Sequence, residues 1–277
     1  MSHPDRIFHY TSIDTLALIL KSRKIRFARL DTVDDAREAP TVGGIHFSKY
    51  FFVSCWTGEP RESIPQWHLY TEKMTGVRIE LPSYPFRQKR LTPPAAWTSV
   101  QTQGTVYSPI DFDQMWGQSH MVLPMFLSRD QFGGRVEYVD NVNERYKAAI
   151  TMGAEQLSIS RPFDLARLKT TDWKFQDEYR FALFKLPSLP MPPDGPVDPD
   201  FWNALPQHIG NSIRTGQEPG IAHLDVDLRV SALSELVVTT GPLCSSGAKL
   251  SVESLVKQYA RNGRLQASAL EGGMRHR

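Results

Sequence analysis

The alternation of hydrophobic and polar residues predicts a chain in which short strands and amphipathic helices are mixed. Residues 6–11 (RIFHYT) have the pattern of a strand, and Ser12 follows as a helix N-cap. The apolar residues of that helix fall on one face: Ile13, Leu16, Ile19 and Leu20. Strand alternation returns in KIRFARL, and the apolar run YFFVSCW at residues 50–56 suits a buried strand.

A second amphipathic segment precedes the strand GVRIEL. Ser63 and Gln66 have the spacing of a capping box, which predicts the start of a short helix. Three large apolar residues follow at helical spacing: Trp67, Tyr70 and Met74. Residues 82–135 show no clean period, so we expect irregular structure, with 106–107 and 121–127 as candidates for short elements.

The second half of the chain adds a further helix and a proline-rich segment. After the strand RVEYV, Asn141 and Glu144 open a helix that we expect to end near Ser158. One side of that helix is apolar: Val142, Tyr146, Ala149, Ile150 and Leu157. Six prolines between residues 187 and 199 disfavour a regular helix or a central strand. We therefore predict an excursion at residues 187–206, compatible with a linker and with an extended surface loop.

The C-terminal part predicts three strands and a helix. The strands are IAHLDVDL, ELVVTT and RLQASAL, and the helix ends before Gly263. Its apolar face consists of Val252, Leu255, Val256, Tyr259 and Ala260. Residues 271–277 have the composition of a frayed tail. Because no internal repeat and no clear boundary is visible, we predict one mixed α+β domain over residues 1–277.

The segment TDWKFQDEYRFALF, residues 171–184, places an acid inside an aromatic-rich strand pattern. One parity of the strand holds Trp173, Phe175, Asp177, Tyr179, Phe181 and Leu183. Glu178 and Arg180 belong to the other parity, so they should point the same way. Taken alone, the segment favours a surface-facing pair on a half-buried strand, because charged side chains are usually exposed.

Composition adds few constraints on function. The 277 residues, 40% of them hydrophobic, are enough for a sizeable core. A net charge of +2 and a pI near 8.5 do not indicate nucleic-acid binding. Cys55 and Cys244 lie outside any metal-ligand pattern, so neither zinc nor a disulfide framework is expected. Without a signal peptide or an apolar run of about 18 residues, we expect a soluble cytoplasmic protein that does not bind membranes.

The common catalytic motifs are missing from the chain. There is no phosphate-binding loop, no G-x-G-x-x-G, no H-E-x-x-H and no G-x-S-x-G. Cys55, inside an apolar strand, is interpreted as a small buried hydrophobe. His9, Trp67 and Tyr70 are each explained as packed structural residues when they are considered singly. Their order along the chain is the reason to consider them together.

Taken in order, five segments resemble the ADP-ribosyltransferase superfamily: FHYTS, KSRKIRFARL, YFFVSCW, PQWHLY and DEYRFAL. The similarity is to its histidine-tyrosine-glutamate branch, which includes diphtheria toxin and the poly(ADP-ribose) polymerases. His9, Tyr70 and Glu178 match the three positions of that branch. The combination of HYTS, W-x-x-Y before GVRI, and W-x-x-x-x-E-Y-R is also similar to an uncharacterised bacterial domain family placed in the same superfamily. The match covers residues 6–186 discontinuously, together with VVTTGPLCSS and the helix after it.

The resemblance implies a split β-sheet core that binds NAD in a central cleft without a dinucleotide-binding fold. It implies that Glu178 is catalytic, holding the nicotinamide ribose and stabilising an oxocarbenium-like state. It also implies that His9 bonds the adenosine ribose and that Tyr70 stacks on the nicotinamide ring. Further NAD-binding candidates are Tyr10, Thr11, Trp67 and Arg180. Arg26 and Arg29 are pyrophosphate candidates for which a solvated surface role is favoured.

Departures from that branch leave the acceptor open. Tyr10 replaces a frequent glycine, and Gln176 stands where the arginine-specific branch has a second glutamate. The resemblance implies an NAD-dependent transferase of ADP-ribose to a protein or nucleic acid, a bacterial toxin or phage-defence effector, and regulation by a partner such as an antitoxin. The alternatives are an NAD glycohydrolase, a catalytically silent binding module, and a nucleic-acid-processing role suggested by Trp116 and Trp202.

Overall fold

The computed structural model describes residues 3–92, 104–118, 120–153, 157–192 and 199–274. Within these ranges the protein is a mixed α+β structure built on one large sheet. No helix in this part of the chain is both long enough and apolar enough to cross a bilayer. Parts of four predicted segments lie outside the described residues: 93–103, 154–156, 193–198 and 275–277.

The described strands and helices have the following bounds. The strands are β1 (Arg6–Thr11), β2 (Lys24–Arg29), β3 (Thr41–Val42), β4 (Ile45–His46), β5 (Phe51–Thr57), β6 (Val77–Pro82), β7 (Lys89–Arg90), β8 (Tyr107–Ser108), β9 (His120–Val122), β10 (Gly133–Arg135), β11 (Glu137–Val139), β12 (Ile150–Met152), β13 (Leu157–Ile159), β14 (Leu168–Thr170), β15 (Glu178–Pro187), β16 (His223–Asp227), β17 (Val237–Thr240) and β18 (Arg264–Ala267). The α-helices are α1 (Ile13–Ser22), α2 (Ile64–Tyr70), α3 (Phe112–Met115), α4 (Arg129–Phe132), α5 (Val142–Ala149), α6 (Pro162–Leu165), α7 (Pro199–Arg214), α8 (Val230–Ser234) and α9 (Ser246–Tyr259). Short 3₁₀ helices lie at Leu30–Thr32, Phe47–Tyr50, Pro124–Leu127 and Thr171–Gln176.

The large sheet is organised around β15, a strand of 10 residues that are all buried. Strand neighbours follow the order β10-β15-β5-β1-β6-β17-β18, while β2 with β16, and also β9, attach at the side of this path. β15 pairs antiparallel with β5, from Glu178 opposite Thr57 to Phe184 opposite Phe51. Both strands are rich in aromatic and β-branched residues, which suit a strand covered on both faces.

The sheet divides along one edge of β5. β15 occupies the other edge, so β1 and β2 share the remaining one. β2 pairs with β5 at Val53 and Phe52, whereas the β1 register contact is Phe8 opposite Thr57. Between these contacts His9 Nδ1 lies 2.9 Å from the Cys55 carbonyl oxygen. The His9 side chain therefore lies in the gap that β1 and β2 leave between them.

β15 separates two hydrophobic cores. Tyr179, Phe181 and Leu183 face the larger core, which contains residues of α1 and α9. Ala182 and Phe184 face the second core, where the Phe184 ring stacks on Phe51 at 4.8 Å between centroids. Burial of each large apolar side chain contributes about 1.5–3 kcal/mol. The predicted alternation is thereby confirmed from Tyr179 onward.

β15 begins later than the sequence pattern predicted. Residues 171–176 form a 3₁₀ helix, and Asp177 follows in the left-handed region at φ 41°. Trp173 and Phe175 therefore do not share a strand face with Tyr179, and Phe175 is 42% exposed. The sequence pattern did not reveal this turn, because it contains neither glycine nor proline. Aspartate can nevertheless adopt the left-handed backbone that the turn requires.

Two predicted helices extend less far than expected. α5 starts after its predicted N-cap Asn141 but ends at Ala149, because residues 150–152 form β12, which pairs antiparallel with β13 and places Thr151 opposite Ser158. α2 ends at Tyr70, and Met74 lies beyond it at φ 74°. Met74 nevertheless packs into the same apolar cluster as Trp67. The apolar spacing therefore predicted its burial correctly, although its backbone is not helical.

The predicted excursion at residues 187–206 is wrong over its last part. α7 begins at Pro199 and contains Pro206 within its length. Proline in the first turn is tolerated because the N–H that it lacks has no helical partner there. Leu205 and Ile213 are buried on one face of α7, and this packing offsets the interior proline.

The predicted frayed tail at 271–277 is ordered over its first residues. Met274 packs against the cluster that contains Trp67. Glu271 forms an ion pair with Lys249 on α9. Packing and this ion pair therefore fix a segment whose composition alone gave no apolar pattern.

Lys185 on β15 is buried without an ion-pair partner among the described residues. Its ammonium nitrogen lies 5.5 Å from the Phe52 ring centroid. Burial lowers the pKa of Lys185 to about 7. Burial, followed by the charge of Lys185, also lowers the pKa of His120 to about 4. This lysine therefore opposes folding when it is charged.

We expect Lys185→Met to raise the free energy of unfolding by about 1–3 kcal/mol at pH 7, because it removes an unpartnered buried amine. The native amine titrates near pH 7 and an unperturbed lysine near 10.5. Unfolding therefore takes up a proton between these values, and wild-type stability rises with pH by up to about 1.4 kcal/mol per unit relative to the variant. Urea unfolding at pH 7 and pH 9 measures this. An equal difference at both pH values would contradict the expectation.

Candidate active site

A cavity of about 280 Å³ lies where β1 and β5 meet. Its wall is built from these two strands, from α2 and β15, and from the loop at residues 33–38. His9, Tyr70 and Glu178 all line it, although they are far apart in the sequence. The structure thus brings the three predicted site residues together around one cavity.

His9 is held with one ring nitrogen on the main chain. Nδ1 lies 2.9 Å from the Cys55 carbonyl oxygen, which can only accept a hydrogen bond. Nδ1 must therefore carry the proton. Burial lowers the pKa of His9, so the ring is neutral near pH 7. Nε2 is then left to accept a hydrogen bond from a hydroxyl group.

Tyr70 is fixed through its hydroxyl group. The hydroxyl donates to Asp34 Oδ2 at 2.5 Å and accepts a hydrogen bond from Gln176 Nε2. Burial, together with the Asp34 carboxylate, raises the pKa of Tyr70 well above its usual range, so the phenol stays protonated. Tyr70 closes α2, whose N-cap Ser63 accepts a hydrogen bond from the main-chain nitrogen of Gln66. A short capped helix therefore sets the position of this aromatic ring.

Glu178 belongs to a closed ring of four buried charges. Its Oε1 lies 2.7 Å from Arg180 Nε, and its Oε2 lies 3.2 Å from Lys169 Nζ. Glu38 closes the ring at 2.7 Å from both Lys169 Nζ and Arg180 Nη1. The four side chains are at most 5% exposed. Two carboxylates alternate with two cations, so the ring is neutral as a whole and its burial is tolerated.

The ring keeps Glu178 ionised although the residue is buried. Burial acts to raise the pKa of this carboxyl group, but the charges of Arg180 and Lys169 outweigh it and hold the pKa well below its usual range. The carboxylates in turn outweigh burial and raise the pKa values of Lys169 and Arg180. An ionised carboxylate has about four lone-pair directions. Glu178 can therefore still accept a hydrogen bond from a ligand hydroxyl.

Neighbouring groups hold the ring in place. The main-chain N–H of Glu178 donates to the Tyr138 hydroxyl at 2.8 Å. Arg180 Nη1 donates to the Ala166 carbonyl oxygen at 2.8 Å. Lys169 Nζ lies 4.7 Å from the centroid of the Trp173 indole, so this aromatic side chain covers Lys169 in the ring of charges. The interpretation of Glu178 and Arg180 as surface residues is wrong, because Glu38 and Lys169 supply the partners that make burial possible.

Cys55 lines the cavity and is partly buried. Its interpretation as a small buried hydrophobe did not predict this position. Burial, and then the charge of Glu178, raise the pKa of its thiol well above the usual range. The thiol is therefore protonated near neutral pH, which does not suit a nucleophilic role.

The remaining predicted NAD-binding residues divide into two groups. Tyr10 and Arg180 line the cavity, whereas Trp67 and Thr11 are not among the described residues of its wall. Trp67 is fully buried and donates from Nε1 to Glu62 Oε2 at 2.9 Å. Its ring packs edge-on against Tyr10 at 4.9 Å. Trp67 thus has the structural role that its helix position suggested, and it supports the wall through Tyr10.

Arg26 and Arg29 also lie outside the described cavity wall. Arg26 is 62% exposed at its side chain and pairs with Asp225. Arg29 pairs with Asp31 and Glu218. The favoured surface role is therefore the one seen for Arg26, whereas the Arg29 side chain is 19% exposed and held by its two acids.

Sequence reasoning missed Glu38, Lys169 and Asp34, and it treated Gln176 only as a departure from a family pattern. Glu38 and Asp34 lie in the loop-like DTVDDAREAPTVGG, where a functional acid cannot be told from its charged neighbours. Lys169 sits in LKTT, and the apolar and β-branched neighbours of this lysine were the available signal. A buried cation in such a strand requires an anionic partner.

Comparison of the chain with protein-family models, with curated proteins and with solved structures gives no match.

Proposed function

We propose that the chain is an NAD-dependent ADP-ribosyltransferase whose cavity holds the nicotinamide end of NAD. The observation that carries this proposal is the convergence of His9, Tyr70 and Glu178 on one cavity. These residues follow the same order as the three conserved positions of the family that the sequence resembles. The division of the sheet between β1 and β2 supports the split core that the same resemblance implies.

The cavity size suits part of NAD rather than all of it. Its volume of about 280 Å³ is just below the range of about 300–1,000 Å³ typical of pockets for drug-sized ligands. A nicotinamide ring with its ribose therefore fills the cavity, and the remainder of NAD lies along the opening. Tyr70 stacks on the nicotinamide ring, and His9 Nε2 accepts a hydrogen bond from a hydroxyl of the adenosine ribose.

Glu178 is the proposed catalytic residue. Its carboxylate accepts a hydrogen bond from the nicotinamide ribose and stabilises the positive charge that develops at the anomeric carbon. The bond to nicotinamide breaks, and nicotinamide leaves as a neutral molecule with the bonding electron pair. A nucleophile then bonds to the anomeric carbon and loses its proton. The nucleophile is a group on a macromolecule in transfer and water in hydrolysis.

The acceptor and the biology are supported by the resemblance alone. Similar families include bacterial toxins and defence effectors, so we propose this role, with a protein or nucleic acid as acceptor and a regulatory partner. Mass spectrometry after incubation with NAD distinguishes transfer from hydrolysis, because only transfer leaves an adduct of ADP-ribose on a macromolecule.

We expect Tyr70→Ala to weaken NAD binding about 5- to 30-fold, because loss of base stacking removes about 1–2 kcal/mol. Isothermal titration calorimetry of wild type and variant with NAD measures the change. Tyr70→Phe is the matched control, since it keeps the ring and removes only the hydroxyl bonded to Asp34 and Gln176. Tyr107→Ala replaces an exposed tyrosine outside the cavity, so it should bind NAD as wild type does and controls for effects of purification and assay. Equal NAD affinity in wild type and Tyr70→Ala would defeat the proposed placement of NAD.

A second candidate is a nucleotide-binding module without turnover. The observation in its favour is that both carboxylate oxygens of Glu178 already lie beside buried cations, which weakens the field that Glu178 exerts on a developing positive charge. Purified protein that binds NAD but releases no nicotinamide supports this candidate over the transferase.

A further inference from the structure

Gln176, a residue of the cavity wall, has one buried polar atom without a hydrogen-bond partner in the described part of the chain. The residue lines the cavity and is 5% exposed. Its main-chain oxygen accepts from Gln66 Nε2 at 3.2 Å, and its own Nε2 donates to the Tyr70 hydroxyl. Its Oε1 is buried and has no hydrogen-bond partner among the described residues. A buried acceptor left in this way is unfavourable, so it favours a bound group that supplies a donor.

The hydrogen bonds of Tyr70 determine which end of the Gln176 amide stays unpaired. The Tyr70 hydroxyl gives its only proton to Asp34 Oδ2, so towards Gln176 its oxygen can only accept. The amide must therefore present its NH₂ group to Tyr70, as it does. The carbonyl oxygen is consequently the end that is left for a ligand.

Arg180 contributes the complementary group. Its Nη2 is buried, has no hydrogen-bond partner among the described residues, and belongs to a side chain that lines the same cavity. A ligand that satisfies both residues must carry a donor and an acceptor. A primary carboxamide has both, whereas a carboxylate has acceptors only and would face the oxygen of Gln176 and the anion of Glu178.

We infer that Gln176 Oε1 accepts an N–H of the nicotinamide carboxamide, so that the cavity selects nicotinamide over nicotinate. This inference rests on the proposed function, because it assigns the aromatic end of NAD to the wall formed by Tyr70 and Gln176. Gln176 bonds the Tyr70 hydroxyl, which places its amide beside the ring that stacks on the pyridine.

The test is calorimetric titration with nicotinamide, nicotinate and ADP-ribose of the wild type and of Gln176→Met, a variant of similar size. Wild type should bind nicotinamide about 10-fold more tightly than nicotinate. In Gln176→Met the affinity for nicotinamide should fall about 10-fold, with the ratio to nicotinate near one and ADP-ribose affinity unchanged. Tyr70→Phe keeps the aromatic ring but removes the hydroxyl that orients the Gln176 amide, so its preference for nicotinamide should be smaller than in wild type. For wild type alone, 3-acetylpyridine retains the carbonyl but lacks the N–H and should bind about 10-fold more weakly than nicotinamide.

An unchanged ratio in folded Gln176→Met, or equal binding of nicotinamide and 3-acetylpyridine to wild type, overturns the inference. A loss confined to ADP-ribose also overturns it, because the oxygen then meets a ribose hydroxyl. The proposed function fails separately. If the preference for nicotinamide depends on Gln176 but NAD is not cleaved, this inference stands and the transferase proposal fails. If NAD is cleaved but the ratio of nicotinamide to nicotinate affinity is the same in wild type and Gln176→Met, the transferase proposal stands and this inference fails.

Discussion

Replacing Glu38 by glutamine is expected to lower the free energy of unfolding by about 3–5 kcal/mol. Glu38 is 0% exposed and lies 2.7 Å from both Lys169 Nζ and Arg180 Nη1. Its loss leaves two buried cations with only Glu178 to balance them. Folded domains have about 5–15 kcal/mol of stability in total, so the variant should remain folded but become much more sensitive to urea.

A double-mutant cycle with Lys169 separates charge imbalance from lost packing. Glu38→Gln combined with Lys169→Met restores a neutral ring, so the loss in the double variant should be smaller than the sum of the single losses by about 1–3 kcal/mol. Urea unfolding of the four proteins gives this coupling energy. A loss below about 1 kcal/mol for Glu38→Gln, or purely additive losses, would show that the ring is not an energetic unit.

Glu178→Gln is expected to lower the turnover of NAD about 100-fold or more, a loss of about 3 kcal/mol in transition-state stabilisation. The glutamine has nearly the same volume but lacks the negative charge that faces the developing cation. Initial rates of nicotinamide release measure the effect. Because the substitution also unbalances the ring, circular dichroism must first show that the variant is folded under the assay conditions.

Glu38→Gln is the matched control for the rate of nicotinamide release by Glu178→Gln. It removes the same charge from the same ring but leaves the Glu178 carboxylate in place. We expect its turnover to stay within about 10-fold of wild type. Equal rate losses in the two variants would assign the effect to the charge balance of the ring and not to a contact made by Glu178.

Much of the local structure could be predicted because it depends on local patterns. β1 has the predicted bounds, and Ser12 caps α1 with the expected residues on its buried face. The apolar strand β5 and the shared direction of the Glu178 and Arg180 side chains were also predicted from the local pattern. In each case the side-chain period is set within a few residues, so neighbours in the sequence are sufficient.

The charge ring could not be predicted because its members meet only through long-range pairing. Glu38 comes from an irregular loop and Lys169 from a strand of three residues, and nothing near either one indicates the other. The surface interpretation of Glu178 failed for this reason, since burial of a charge depends on partners that are distant in sequence. The turn at Asp177 was missed because no glycine or proline marks it, whereas the helix at Pro199 was missed because the packing of Leu205 and Ile213 outweighed local propensity.

The most direct test of the proposed transferase is the release of free nicotinamide when purified wild-type chain is incubated with NAD. We expect release in catalytic excess over protein, with the rate lost in folded Glu178→Gln. Release no faster than in a protein-free control, or release that folded Glu178→Gln sustains at the wild-type rate, would contradict it.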